Sequence, residues 1–251
     1  MCSTVAVVLV TAGWLLNGMI GPVVARNRAN ELPAMPRVAK LSAASAFAVL
    51  GGFRPLAADL AWIALQGAWE RRDQPASEKL IRTATLLDPA SAYFWKNGAR
   101  MIAFDIPLWR IAESGGWDSM PATRQRAIRR EQAAAALRLL NEALEANPRM
   151  ATLWLERAGI ELQGEEDPAA AASSYRRAWE LDPSLTFAAR LQAQLLRRIG
   201  RREEALAGLH QLRRYLAANG GVAEIAMVRV RIDELERELA ALKGRRSPLR
   251  R

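Results

Sequence analysis

The chain has 251 residues, with 36 Lys and Arg against 26 Asp and Glu and a formal net charge of +10. One cysteine (Cys2) and one histidine (His210) exclude an intramolecular disulfide, a cysteine zinc site and most histidine-based metal or triad chemistry. The basic balance admits anionic partners such as nucleic acid, acidic protein faces or lipid headgroups without choosing among them, while abundant Ala, Leu, Arg and Glu and no period-2 run of β-branched residues predict an all-α fold.

Residues 5–25 are apolar apart from Thr11 and Asn17 and carry no charge. At ~1.5 Å per residue, a helix of that length matches the ~30 Å hydrocarbon core of a bilayer. The expectation is a membrane anchor over residues 1–28. A cleaved signal peptide and a buried helix of a soluble fold are the alternatives; Val23-Val24-Ala25 offers small residues to a peptidase, but no basic segment precedes the run. Arg26, Arg28, Arg37 and Lys40 come after it, so the charge bias puts the bulk of the chain in the cytoplasm, with a periplasmic placement as the alternative. Pro33 and Pro36 mark a linker within residues 29–57. The charge-free stretch between Lys40 and Arg54 is too short to span a bilayer. It is expected to pack on the first helix pair beyond it or to lie at the membrane surface, and Gly51-Gly52 ends it.

From residue 58 onward the pattern is helix, turn, helix, stop. The first pair covers 58–91, with Leu60, Ile63, Ala64 and Gly67 expected as a packing stripe and Trp62 and Trp69 beside it. The second covers 92–150 and is interrupted at 105–123 by a stretch with two prolines, two glycines and the tryptophans Trp109 and Trp117, read as an insertion between its helices. Pairs three and four cover 151–185 and 186–220. Residues 221–243 place Ile225, Val228, Ile232, Leu235, Leu239 and Leu242 on one seam, expected as a capping helix, with a coiled-coil dimer as the alternative. Residues 244–251 form a basic tail.

Pro89, Pro148 and Pro183 close three of these pairs, and Ala84, Ala143 and Ala178 stand at the same offset before them. The interval between the last two prolines is close to a ~34-residue unit, and the earlier interval is such a unit plus about 25 residues. In this register, Ala171, Tyr175 and Pro183 fit the second-helix pattern of the tetratricopeptide repeat family. Ala136, Leu140 and Pro148 fit it more loosely, as do Ser77, Ile81 and Pro89. Trp95 and Trp154 match its first-helix tryptophan, and residues 200–206 (GRREEAL) match its inter-helix junction. Over residues 58–219 the chain therefore resembles that family. Glu161 departs from the pattern where the family prefers Tyr, and the fourth pair has no closing proline. The stretch GGFRPLAADLAWI behind an apolar segment also resembles a group of bacterial membrane-anchored repeat proteins. These resemblances imply a right-handed α-solenoid of about four helix pairs with a C-terminal cap, a single-pass protein of the bacterial inner membrane and an envelope role without a defined reaction.

In the family, the first helix of each pair lines a groove that binds peptides. Carried over, the groove comprises Trp62, Gln66 and Trp69; Lys96, Asn97 and Arg100; Leu155, Glu156 and Leu162; and Arg190, Gln194, Arg197 and Arg198. Lys, Asn and Arg on adjacent helices suit a carboxylate, through charge-assisted hydrogen bonds. The expected ligand is an acidic peptide or protein face, and the competing reading is a set of solvated helix-face charges. Trp109 and Trp117 either pack locally or make an exposed contact with a partner or membrane. Residues 186–220 carry seven arginines against Glu203 and Glu204, and the tail from Lys243 has five basic residues and no acid. This makes a charge-driven binder of anionic lipid or nucleic acid the runner-up, although no nucleic-acid motif is present. Neither His210 nor the acidic run 165–167 reads as catalytic, the latter being helix-start chemistry. Gly115-Gly116 and Gly220-Gly221 lack the setting of a phosphate loop. No catalytic residue, metal or cofactor is expected.

Overall fold

The computed structural model describes residues 53–245, with side chains to residue 243. The expected anchor, its linker, the apolar stretch up to Gly52 and the end of the basic tail lie outside the described residues. Every element among those described is helical, and none is long and apolar enough to cross a membrane.

The first pair is α1 (Arg54–Glu70) and α2 (Gln74–Leu87). The second begins with α3 (Ala92–Arg100), which runs through a π turn (Met101–Asp105) into α4 (Ile106–Glu113), and returns along α5 (Ala122–Ala146). The third is α6 (Ala151–Gln163) and α7 (Pro168–Leu181), and the fourth α8 (Thr186–Arg198) and α9 (Arg202–Ala218). The long α10 (Val222–Arg245) comes last. Helices consecutive in sequence pack on one another throughout, and α3 also reaches α6.

Local chemistry sets the boundaries. Proline pushes the residue before it out of the α region; Asp88, Asn147 and Asp182, each preceding a proline, have ψ values of 78°, 64° and 93°. Each still donates its N–H to the carbonyl of Ala84, Ala143 or Ala178. Those three alanines are fully buried, and their small side chains let neighbouring helices come close. Starts are equally local. Asp73 accepts from the Ala76 N–H at 3.1 Å, and Asp167 from the N–H groups of Ala169 and Ala170, both at 2.9 Å. Each satisfies donors that the helix itself leaves open.

The interruption at 105–123 differs from the sequence expectation. Residues 105–113 continue the first helix of the second pair, and the irregular part shrinks to 114–121. Pro107 reads as a breaker because it has no N–H and its ring crowds the carbonyl four residues back. The helix absorbs it by widening one turn, in which the Ile106 N–H bonds the Met101 carbonyl. The connecting loop is ordered. Gln125 Nε2 donates to the carbonyls of Trp117 and Met120 at 2.9 and 2.8 Å, and Ile111, Met120 and Ile128 make a small core beneath it.

Two larger cores run along the helices. One extends from Leu65 and Ile81 through Trp95, Ile106 and Leu140 to Leu153 and Ile160. The other extends from Ala158 through Trp179 and Leu212 to Val228, Ile232 and Leu235. Helix α6 serves both, with Leu153 and Ile160 in one and Ala158 in the other. Of the α10 seam, Val228, Ile232 and Leu235 are buried in this second core, Ile225 packs partly buried against it, and Leu242 is exposed.

Helix α1 corrects a second expectation. Its buried residues are Ala58, Leu65 and Ala68. The stripe expected to pack faces outward: Leu60 is 58% and Ile63 67% exposed. The helix is apolar on nearly every side, and the face with two alanines permits the closest approach of α2 and α3.

Close packing of α2 on α3 depends on Gly98, where an added Cβ would lie 2.5 Å from Ile81 Cγ2. Gly98→Ala is expected to cost roughly 1–3 kcal/mol through overpacking, despite the better helix propensity of alanine. Gly159→Ala, with nothing within 4 Å of its added Cβ, is expected to gain up to about 1 kcal/mol. Urea midpoints that move in opposite directions confirm the pair, and a neutral Gly98→Ala refutes the contact.

Candidate functional site

A cavity of about 440 Å³ lies between α1, α3 and the π turn. Trp62, Leu65, Gln66 and Trp69 come from α1, Tyr93, Asn97 and Arg100 from α3, and Met101, Phe104 and Asp105 from the π turn. Five residues carried over from the family groove therefore meet here: Trp62, Gln66, Trp69, Asn97 and Arg100.

The aromatic walls are braced from behind. The Trp62 ring stands edge-on to Tyr93 at 5.5 Å and tilts against Phe94 at 5.3 Å. Trp69 meets Trp109 edge-on at 6.3 Å and donates from Nε1 to Asp105 Oδ2 at 3.2 Å. Asn97 Nδ2 donates to the Tyr93 carbonyl at 2.8 Å, which orients its side chain. Arg100 forms a long ion pair of 3.8 Å with Glu156 of α6 and keeps 60% of its side chain exposed. Burial pushes the Glu156 carboxyl above its usual range, against the opposing pull of Arg100 and Lys96. Burial, then the Glu156 charge, likewise raises the Tyr175 hydroxyl. The cavity thus combines aromatic faces, the amides of Gln66 and Asn97, and one partly exposed guanidinium.

Lys96 acts on Glu156 but does not line the cavity. Leu155 and Leu162 pack half-buried against the second core.

The carried-over residues of the fourth pair stand elsewhere. Arg190, Gln194 and Arg197 line a separate cavity of about 760 Å³ between α8 and α10, with Phe187, Met227 and Val230. Arg198 lines a neighbouring hollow with Arg202 and Glu238. Arg190, Arg197 and Arg202 already have carboxylates. Arg190 and Thr186 share Glu224, Arg197 pairs with Glu234 at 2.9 Å and with Glu238, and Arg202 Nε donates to Glu238 at 3.0 Å. Hydrogen bonds from Arg197 hold Glu234 and Glu238 below the usual carboxylate range. The charge of Arg190, Arg197 and Arg202 is therefore met by carboxylates of α10.

Trp109 is buried and braces Trp69, so it does not offer the exposed contact considered from the sequence. Trp117 is exposed, with the Arg129 guanidinium 5.4 Å from its ring centre. His210 lies 3.7 Å from Glu236 at the surface. Glu161 is buried and bridges α6 to α7, accepting from Arg157 Nε at 2.7 Å and Ser174 Oγ at 2.6 Å.

Sequence reasoning missed Tyr93, Phe104 and Asp105. Their signal was helical spacing: Tyr93, Asn97 and Met101, or Arg100 and Phe104, recur at steps of four along a helix that continues past residue 105. No family model matches the chain, and no curated protein matches it.

Proposed function

We propose that the chain is a membrane-anchored, non-enzymatic scaffold of the tetratricopeptide-like solenoid type, recruiting a protein partner at the bacterial envelope through the cavity between α1 and α3. The observation that carries this is the convergence of Trp62, Gln66, Trp69, Asn97 and Arg100 on one cavity. The four repeated helix pairs and the identical closure of α2, α5 and α7 support the repeat architecture. Aromatic walls bury apolar side chains with little loss of their own freedom. Amides exchange hydrogen bonds with an extended backbone, and the guanidinium holds a carboxylate. The ligand is accordingly an extended segment of a protein that presents an apolar or aromatic residue next to an acidic one. The anchor over residues 1–28 and an inner-membrane location complete the reading and rest on the sequence alone.

A photocrosslinking amino acid in place of Gln66, in the full chain in membranes, tests it. A discrete crosslinked protein is expected from position 66 and not from Arg177, exposed on α7. Arg100→Glu should reduce its yield by roughly 10–100-fold, since a hydrogen bond to a charged group is worth about 1.5–3 kcal/mol, with the helical circular dichroism unchanged. Equal yield from positions 66 and 177, or no effect of Arg100→Glu, overturns the assignment.

A further inference from the structure

The cavity between α1 and α3 holds one charged group that the proposed function does not use. Asp105, at the end of the π turn, lines it together with Trp69 and Phe104. We propose that Asp105 receives a basic side chain of the bound segment, and that this lysine or arginine stands two residues from the acidic residue held by Arg100. The proposal rests on the function proposed above and sharpens the ligand it takes.

Asp105 is a half-buried carboxylate without a cation. Its Oδ2 accepts from Trp69 Nε1 at 3.2 Å, which leaves most of the lone-pair sites of a carboxylate open. Among the described residues no lysine or arginine pairs with it, whereas Glu156, Glu224, Glu234 and Glu238 each have an arginine from another helix. The cavity's own cation, Arg100, reaches to Glu156 and not to Asp105. The rings of Trp69 and Phe104 add to the site, because an aromatic face within ~6 Å attracts a cation through its quadrupole. A metal ion fits less well. Hard cations take about six or more oxygen ligands, and no group of three Asp, Glu, His or Cys side chains converges among the described residues.

The π turn sets the spacing. On a regular α-helix, residues five apart face roughly 140° away from each other. Here the Ile106 N–H bonds the Met101 carbonyl, and a turn widened in this way carries Asp105 back toward the face of Arg100. Both therefore line one cavity. Five residues of helix rise about 7 Å. Two residues of an extended chain also cover about 7 Å, with their side chains on the same side. An acidic residue on Arg100 and a basic one on Asp105 are thus alternate residues of one extended segment.

The test selects random peptides displayed on phage against the full chain in detergent micelles. Selected sequences are expected to carry an aromatic residue, an acidic residue and, two positions from the acid, Lys or Arg. Selection on Asp105→Asn, which keeps an acceptor for Trp69 Nε1, should lose the basic residue and keep the acidic one. A synthetic peptide of the selected sequence gives the magnitude by fluorescence anisotropy. Norleucine in place of its basic residue should weaken binding to the parent chain by roughly 10–100-fold, the range of a charge-assisted hydrogen bond, and binding to Asp105→Asn hardly at all. A norleucine peptide that binds the parent chain undiminished overturns the proposal without recourse to any variant. So does an equal norleucine effect in the parent and in Asp105→Asn, or loss of the acidic preference as well in that variant, which would leave Asp105 only bracing Trp69. Peptides with the aromatic and acidic residues but no basic one overturn this proposal and leave the proposed function standing. No converging sequence overturns both.

Discussion

Replacing Arg157 with alanine is expected to lower the unfolding free energy by roughly 3–5 kcal/mol, the usual cost of stripping one partner from a buried ion pair. Glu161 is the reason. Its side chain is 5% exposed, and Arg157 Nε and Ser174 Oγ are its hydrogen-bond donors. Without the guanidinium the carboxylate stays buried between α6 and α7 with a single hydroxyl for company. Loss of the Arg157 contacts to Asn141 and to the Trp154 ring adds to the cost. The effect is asymmetric. Glu161→Gln in the Arg157→Ala background removes the stranded charge and should recover much of the loss, whereas a pair that acted only through packing would show no recovery. Urea unfolding of the four members of this cycle measures the difference. An Arg157→Ala midpoint equal to that of the parent chain refutes the account.

Glu161 also shows where sequence stops being informative. It departs from the repeat pattern visibly, but its role depends on Ser174, one helix later, and on the burial that packing imposes. Features governed by a residue and its immediate neighbour were legible. The Asp-Pro and Asn-Pro stops at residues 88, 147 and 182 result from proline sterics, and the alanine that recurs at one offset before each stop is visible in the sequence and buried in the fold. Features that require a choice between chemically similar faces were not. Helix α1 is apolar on both sides, and only the packing of α2 and α3 selects Ala58, Leu65 and Ala68 over Leu60 and Ile63. Half of the cavity was legible because Trp62, Gln66, Trp69, Asn97 and Arg100 hold register positions. Tyr93, Phe104 and Asp105 were hidden by Pro107, which reads as a helix end and is instead accommodated by a π turn. The arginines of α8 were found, but their partners Glu224, Glu234 and Glu238 lie more than thirty residues away and could not be matched to them.

Those partners raise the question of how α10 is held in place, and two variants answer it in opposite ways. Ile232→Asp is expected to detach α10 and unfold the fourth pair. Truncating a buried isoleucine alone costs about 2–5 kcal/mol, and an unpaired buried carboxylate adds several more. The total is comparable with the ~5–15 kcal/mol that holds an entire domain together. Protection of α9 amides from hydrogen exchange should collapse, because Leu209, Leu212 and Leu216 share their core with Ile232. Replacing Glu224, Glu234 and Glu238 with glutamine leaves that apolar seam intact, and the amide-exchange pattern should stay close to that of the parent chain, since exposed ion pairs contribute little. Acid separates the two cases further. Hydrogen bonds from Arg197 lower the Glu234 and Glu238 carboxyls, so their contribution is present above the ordinary carboxylate range and fades as the pH falls through their lowered values. An aspartate forced into the Ile232 position is raised by burial, so its damage lessens as the same acid protonates it. Acid should therefore remove the small ion-pair contribution in the parent chain, leave its apolar seam intact, and partly relieve Ile232→Asp. A defect in that variant that deepens with acid would mean that charge, and not the Val228–Ile232–Leu235 seam, fixes α10.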